Sequence, residues 1–290
     1  MRIAVCVKEV LDSRLPLQVS PDSGEIVQSA AELIRLINPA DRAALEIALS
    51  IRDRNPGSTV AVFSVCEESA AGALHYALAR GADSVERMER NAGESGPPAT
   101  ALKLASRLSG AHYELICCGD ETLDNSSAMV GPLLAELLGL PQVTAAIRLR
   151  ACDTTRLRIE RRLERGHGEV VEAELPVLVT FKAEAVEPKY VSLRRLEQAR
   201  AREIPLWRPL SLPQAVSLPQ WPAEKNLPPR ARVKKKFTLE ATLSAAERVK
   251  MIMAGGVRAE QPGGNTSVVE GDPDYLSEQL FRFLKHHEFV

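Results

Sequence analysis

Short apolar runs of strand length alternate with helical stretches through the first 140 residues. Residues 2–7 (RIAVCV), 59–65 (TVAVFSV) and 115–118 (LICC) each suit a strand buried on both faces. Residues 83–88 read as a further strand of mixed charge. Between these runs the period changes. Ala44, Ile47, Ala48 and Ile51 make one helical stripe. An alanine-rich helix over 69–80 stops at Gly81, and a short helix spans 98–108. Leu133, Leu134, Leu137 and Leu138 follow Pro132 at helical spacing. This alternation predicts an α/β fold, a mostly parallel sheet with helices on both faces. Residues 15–28 (PLQVS, PDSG, EIVQ) predict a hairpin.

The pattern changes after residue 142. Four stretches between 143 and 181 set Arg and Glu against apolar positions, as antiparallel strands with one wet face do. Residues 184–206 read as a turn and a basic, weakly amphipathic helix. Residues 207–236 hold Trp207, Trp221, six prolines and the run Lys234, Lys235, Lys236, and predict an extended linker. Helical spacing returns over 242–253, closed by Gly255 and Gly256, and a QPGGN stretch follows. Asp272 and Pro273 then open a last helix with the stripe Leu276, Leu280, Phe283 and Leu284. The expected organisation is one α/β domain over 1–206 and a linker with a docking tail over 207–290. An apolar stripe after a long linker needs a surface to lie on, its own domain or a partner.

Composition narrows the partners. A formal net charge of −1 gives no reason to expect nucleic acid or an anionic membrane. No apolar run reaches the length of a membrane span, and the N-terminus is too charged for a signal peptide. Five cysteines without a CxxC pair predict reduced thiols in the cytoplasm. Cys117 and Cys118 are adjacent in a strand, so they face opposite sides. The five histidines are scattered and form no metal or nucleophile constellation. Neither GxGxxG nor GxxxxGK[ST] is present.

The candidate chemistry lies between residues 115 and 140. A strand ends at Gly119. Asp120, Glu121, Thr122, Leu123, Asp124, Asn125, Ser126 and Ser127 follow, and a helix begins near Pro132. A loop beyond a strand's carboxyl end, leading into a helix N-terminus, is where an open α/β sheet holds a nucleotide. Ser126, Ser127 and nearby N–H groups are the natural donors. The plainer alternative is an ordinary capped turn. Asn38, Pro39 and Asp41 form a second helix start, with Asn38 as expected cap, and the same two alternatives apply.

Several stretches, in order and spacing, resemble the β subunit of electron transfer flavoprotein. They are RIAVCVKEV at the start, NPADRAALEIAL at 38–49, ALARGAD at 77–83 and GDETLDNSSAMVGPLLAELLGLPQ at 119–142. LPVLVT at 175–180 and EPKYVSLRRLEQARAREI at 187–204 complete the set. The match covers roughly residues 1–207, and the wording of 130–142 is closer to the bifurcating and nitrogen-fixation-associated branch. The resemblance implies an electron-carrier subunit that pairs with an α subunit and shares the latter's redox-active FAD. Its own site would hold AMP, or a second FAD. The implied nucleotide residues are Cys6, Asn38, Pro39, Asp41, Val65, Gly119, Asp124, Asn125, Ser126, Ser127, Met129 and Val130. The family places Lys or Arg, then Gln, after the loop glycine. Here Asp120 and Glu121 stand there, with no cation beside them in sequence, and Met129 replaces a further Gln. Electrons would pass from a flavin dehydrogenase, of acyl-CoA type or another, to a quinone reductase or ferredoxin-linked acceptor. The implied recognition loop is 187–199, with Leu193 as apolar anchor and Lys189, Arg194 and Arg195 as its rim. The family's proline after the anchor is Arg194 here. The alternative function is a stand-alone adenine-nucleotide sensor without flavin.

Overall fold

The computed structural model describes residues 1–15, 17–20, 23, 25–29, 32–90, 96–153, 155–208 and 271–286. Its larger unit is built on a nine-stranded sheet. The strands are β1 (Arg2–Cys6), β4 (Thr59–Val65), β5 (Ser84–Met88), β6 (Leu115–Gly119), β7 (Gln142–Cys152), β8 (Arg156–Arg162), β9 (Gly168–Glu174), β10 (Val177–Phe181) and β11 (Leu206–Trp207). Their spatial order is β11-β5-β4-β1-β6-β10-β7-β8-β9. From β11 to β7 every pairing is parallel. β2 (Glu9–Leu11) and β3 (Arg35–Ile37) form a separate antiparallel pair.

Alternation of side chains along the strands gives the sheet two apolar faces. Ile3, Val5, Leu115, Cys117 and Val179 pack on one side with Leu45 of α1 (Pro39–Arg54) and Leu74 of α2 (Gly72–Arg80). Ala4, Cys6, Phe63, Ile116 and Cys118 pack on the other with Leu104 of α3 (Gly96–Leu108) and Leu134 of α4 (Val130–Leu138). Cys117 and Cys118 thus divide between the two cores, as period-two geometry requires. A buried Arg80–Glu46 ion pair joins α2 to α1, with Nη2 2.6 Å from Oε2.

Two sequence expectations change. VLVTF is no wet-faced antiparallel strand: β10 is buried throughout and lies between β6 and β7 in the parallel part of the sheet. Its run, apolar but for Thr180 and buried at every position, carries the signal of a doubly covered strand. The antiparallel wing is β7, β8 and β9, whose Arg and Glu side chains pair across strands, as in Arg156–Glu174 at 3.1 Å. Trp207 belongs to the sheet rather than to a linker, because β11 pairs with β5 and Trp207 packs against the second core. The hairpin at 15–28 keeps one antiparallel bridge, Val19 to Ile26.

α5 (Leu193–Arg200) is capped by Ser192, whose hydroxyl accepts the Arg195 N–H at 3.4 Å, and packs on α2. The second unit contributes α6 (Pro273–His286). Asp272 caps it by accepting the Tyr275 N–H at 2.9 Å. Leu280 and Phe283 of its apolar stripe are exposed. The expectations for residues 242–253 and for the QPGGN stretch lie outside the described residues. No helix among the described residues is long and apolar enough to cross a membrane.

Candidate nucleotide cleft

In this strand order the chain proceeds from β1 toward β4 on one side and toward β6 on the other. The carboxyl ends of β1 and β6 therefore splay their following loops apart, which opens a crevice at that point. A cleft of about 700 Å³ lies there, within the range of roughly 300–1,000 Å³ that small-ligand sites occupy. Cys6 and Val65 line it from the strand ends. Gly119, Asp124, Asn125, Ser127, Met129 and Val130 line it from the β6–α4 connection, and Asp41 from the start of α1. Asn38, Pro39 and Ser126 are not among the lining residues.

Asn38 and Asp41 work behind the cleft wall. Asn38 stands at the N-cap of α1 but its side chain caps nothing there. It donates to the Glu121 carbonyl at 2.9 Å and accepts the Leu123 N–H at 3.2 Å, which ties down the loop after β6. The capping expectation thus gives way to a long-range clamp. Asp41 receives the Lys8 N–H at 2.7 Å and the Gly119 N–H at 3.0 Å, so one carboxyl bridges the ends of β1 and β6. Burial pushes this carboxyl up to about 7, against the opposing pull of Asn38 and of both N–H groups. Gly119 is required by the same contact. A Cβ there would lie 2.1 Å from Asp41 Oδ1 and 2.8 Å from the Asp41 backbone nitrogen.

The acidic loop has no cation beside it in sequence but has two in space. They come from other strands. Lys8, just past β1, pairs with Asp124. Lys182, just past β10, pairs with Asp120 at 2.9 Å and with Glu121 at 3.5 Å. Burial alone would raise the Asp120 carboxyl, but Lys182, the Thr180 hydroxyl and the Ala145 N–H hold it below the ordinary range. Burial is likewise outweighed at Asp124 by Lys8 and Thr122. Asp120 is tied to the sheet, with the Thr180 hydroxyl donating to it at 2.7 Å, and it also lines the cleft.

The rest of the loop is wound tightly. The Ser126 hydroxyl donates to the Thr122 carbonyl at 3.0 Å, so it braces the loop itself. Ser126 and Ala128 both hold left-handed backbone, with φ of 46° and 51°. Such conformations cost non-glycine residues roughly 1–2 kcal/mol each, and here they turn Ser127 and the start of α4 toward the cleft. α4 carries no side-chain cap, and its first N–H groups form the positive end of the helix dipole, which favours an anion. Gly131 lets it sit close to β10, since a Cβ would meet Thr180 Cγ2 at 2.4 Å.

Sequence reading missed Lys8, Lys182 and Cys118. Cys118 lines the cleft beside Cys6 on the neighbouring strand. Its hydrogen bond to Cys6, then burial, raise its thiol well above the ordinary range. Strand alternation could have found it, because Cys6 and Cys118 occupy equivalent strand ends on one face. The residues expected to form the recognition loop lie apart from the lining of the cleft. Leu193 is 63% exposed on the first turn of α5, beside exposed Lys189, Tyr190, Arg194 and Arg195. It is not a core residue.

The parallel order and the cleft at its reversal define an α/β domain of the doubly wound class. The comparisons narrow this class. The Electron transfer flavoprotein domain matches residues 30–209. The electron transfer flavoprotein subunit beta of Clostridium acetobutylicum is 36% identical over 208 residues, 71% of this chain and 78% of that protein. The caffeyl-CoA reductase-Etf complex subunit CarD of Acetobacterium woodii is 32% identical over 71% of this chain and 78% of its own. Protein FixA of Azorhizobium caulinodans is 34% identical, with 71% and 75% covered. The chain belongs to the electron transfer flavoprotein family, as a relative of its β subunits, and is an electron-transfer subunit.

Proposed function

We propose that this chain is the β half of a heterodimer whose α subunit carries a redox-active FAD, and that its own cleft holds AMP or a second FAD. The flavin supplies the electron chemistry, and this chain binds, orients and shields. The observation that carries the reading is the cleft at the strand reversal, with the uncapped start of α4 and Lys8 on the same loop side. Its donor set fits a phosphate: helix N–H groups, the Ser127 hydroxyl and an ammonium group are all phosphate partners. Lys182 offsets Asp120 and Lys8 offsets Asp124, which reduces the repulsion an anion would meet there to that of Glu121, itself 3.5 Å from Lys182.

Electrons would enter from a flavin dehydrogenase and leave to a quinone reductase or a ferredoxin-linked acceptor, in the cytoplasm. Names such as caffeyl-CoA reductase and acryloyl-CoA reductase among the relatives favour a partner acting on CoA esters. Exposed Leu193, ringed by Lys189, Arg194 and Arg195, has the build of a small, quickly released contact. The apolar stripe of α6 would be covered in the heterodimer.

The test is to co-express the chain with candidate α subunits, record the visible spectrum, and identify the nucleotide released on denaturation. A yellow heterodimer that releases FAD, with or without AMP, is the expected result. A colourless chain that stays monomeric with every candidate, yet releases an adenine nucleotide, would instead make it a stand-alone sensor.

A further inference from the structure

The charges that line the cleft divide into those spent within the chain and those left over. On the β6–α4 side Lys8 is spent on Asp124, and Lys182 answers Asp120 and Glu121. Across the cleft, Glu9 accepts the Ala73 N–H at 3.0 Å, at the start of α2. Two lining cations are left over: Arg90, just past β5, and Arg35 of β3. Neither makes a hydrogen bond or ion pair with a described residue. An unspent guanidinium in a concave site suits a phosphate, whose oxygens it can meet in pairs.

The fold places these two arginines differently. α3 and α4 pack side by side on one face of the sheet, and both begin at the cleft, where Pro97 and Val130 line it. Arg90 lies ahead of α3 as Ser127 lies ahead of α4. A phosphate at the start of α4 therefore has Arg90 at the neighbouring helix start. Arg35 stands on the separate β2–β3 pair, which contacts α2, a helix of the other face. The charge of Arg90 is also felt inside the cleft. Burial raises the Cys66 thiol, and Arg90 is among the groups that oppose the rise. Thr100 lines the same stretch, but its hydroxyl is taken by the Gly96 carbonyl at 3.2 Å, which leaves Arg90 as the charged donor there.

We propose that the cleft selects an adenine nucleotide with two linked phosphates over a monophosphate, and that Arg90 holds the second phosphate. The inference rests on the nucleotide reading above and, of the two occupants given there, assigns the dinucleotide. Calorimetric titration of the nucleotide-stripped full chain with AMP and with ADP tests it, in wild type, Arg90→Gln and Arg35→Gln. ADP carries the second phosphate without a flavin, so the chain's own contacts are read. Wild type is expected to favour ADP by about ten- to a hundredfold, the span of one hydrogen bond to a charged group. Arg90→Gln should bring that preference below about threefold, and Arg35→Gln should keep it. Because the readout is a ratio within one variant, a general loss of stability does not imitate it. Equal affinity for the two nucleotides in wild type, or a preference kept in Arg90→Gln, would overturn the role of Arg90 while leaving nucleotide binding intact. A preference lost in Arg35→Gln alone would put the second phosphate on the other side of the cleft and overturn it likewise. Binding of neither nucleotide to wild type would overturn the nucleotide reading itself and this inference with it.

Discussion

Gly119→Ala is the smallest change that should break the cleft. The added methyl would sit 2.1 Å from Asp41 Oδ1, 2.8 Å from the Asp41 nitrogen and 3.0 Å from the Ala40 carbonyl carbon. The first contact is a side-chain oxygen and could swing away. The other two are backbone at the start of α1 and can be relieved only by moving the helix or the end of β6. Crowding a packed site costs about 1–3 kcal/mol. Moving either element also breaks the Gly119 N–H bond to the buried Asp41 carboxyl, worth about 1.5–3 kcal/mol for a charged acceptor. The combined loss is about 3–6 kcal/mol, a large share of the roughly 5–15 kcal/mol that holds a domain folded. Urea unfolding should show the midpoint falling by about 1–2 M, and nucleotide content of the purified protein should fall with it. An alanine variant within about 0.5 kcal/mol of wild type, with its nucleotide retained, would refute the claim that α1 and β6 need this close approach.

Other outcomes follow from single groups. The Asp41 carboxyl binds its proton more tightly folded, near pH 7, than unfolded, near 3.8. Its contribution is therefore fully present below about pH 4 and is lost as pH rises through 7. That is about three pH units at about 1.4 kcal/mol each, an upper bound near 4 kcal/mol. Stability of wild type relative to Asp41→Asn should decline over that window in urea titrations, and a flat difference would remove Asp41 as the titrating group. Ser127→Ala should lower nucleotide retention by about 1.5–3 kcal/mol if its hydroxyl meets a phosphate. Ser126→Ala should act on loop stability instead, and equal retention losses in the two would contradict the division of roles. Leu193→Ala should leave the melting temperature nearly unchanged, since the side chain is 63% exposed. It should sharply slow electron transfer from the cognate dehydrogenase in a stopped-flow assay. Wild-type transfer rates would move the docking site elsewhere.

The alternation of periods was enough to place the parallel sheet and most of its helices, because buried strands and amphipathic helices write their burial directly into the chain. The place of β10 and the source of the loop's cations are hidden for one reason: only the topology brings residues 177–182 beside β6 and Lys8 beside Asp124. Asn38 illustrates the same limit at one residue. Its type suits a cap, yet its side chain bonds Glu121 and Leu123, more than 80 positions away. The β6–α4 loop was legible as a candidate because turn-forming residues cluster there. That Ser126 braces the loop while Ser127 lines the cleft follows from two left-handed residues that no local pattern announces.

The position of β10 has a consequence for how the chain is made. β6 pairs on one side with β1, which precedes it in the chain, and on the other with β10, which is some sixty residues further along than β6 itself. Until residue 181 has left the ribosome, one margin of LICCG stays open with its backbone groups unpaired, and such an apolar edge invites other chains. β7 also has to wait, since its parallel neighbour is the same late strand. The nascent chain therefore passes through a sticky half-sheet, and a fragment ending before Val177 should aggregate, whereas one extended through Trp207 has the means to close.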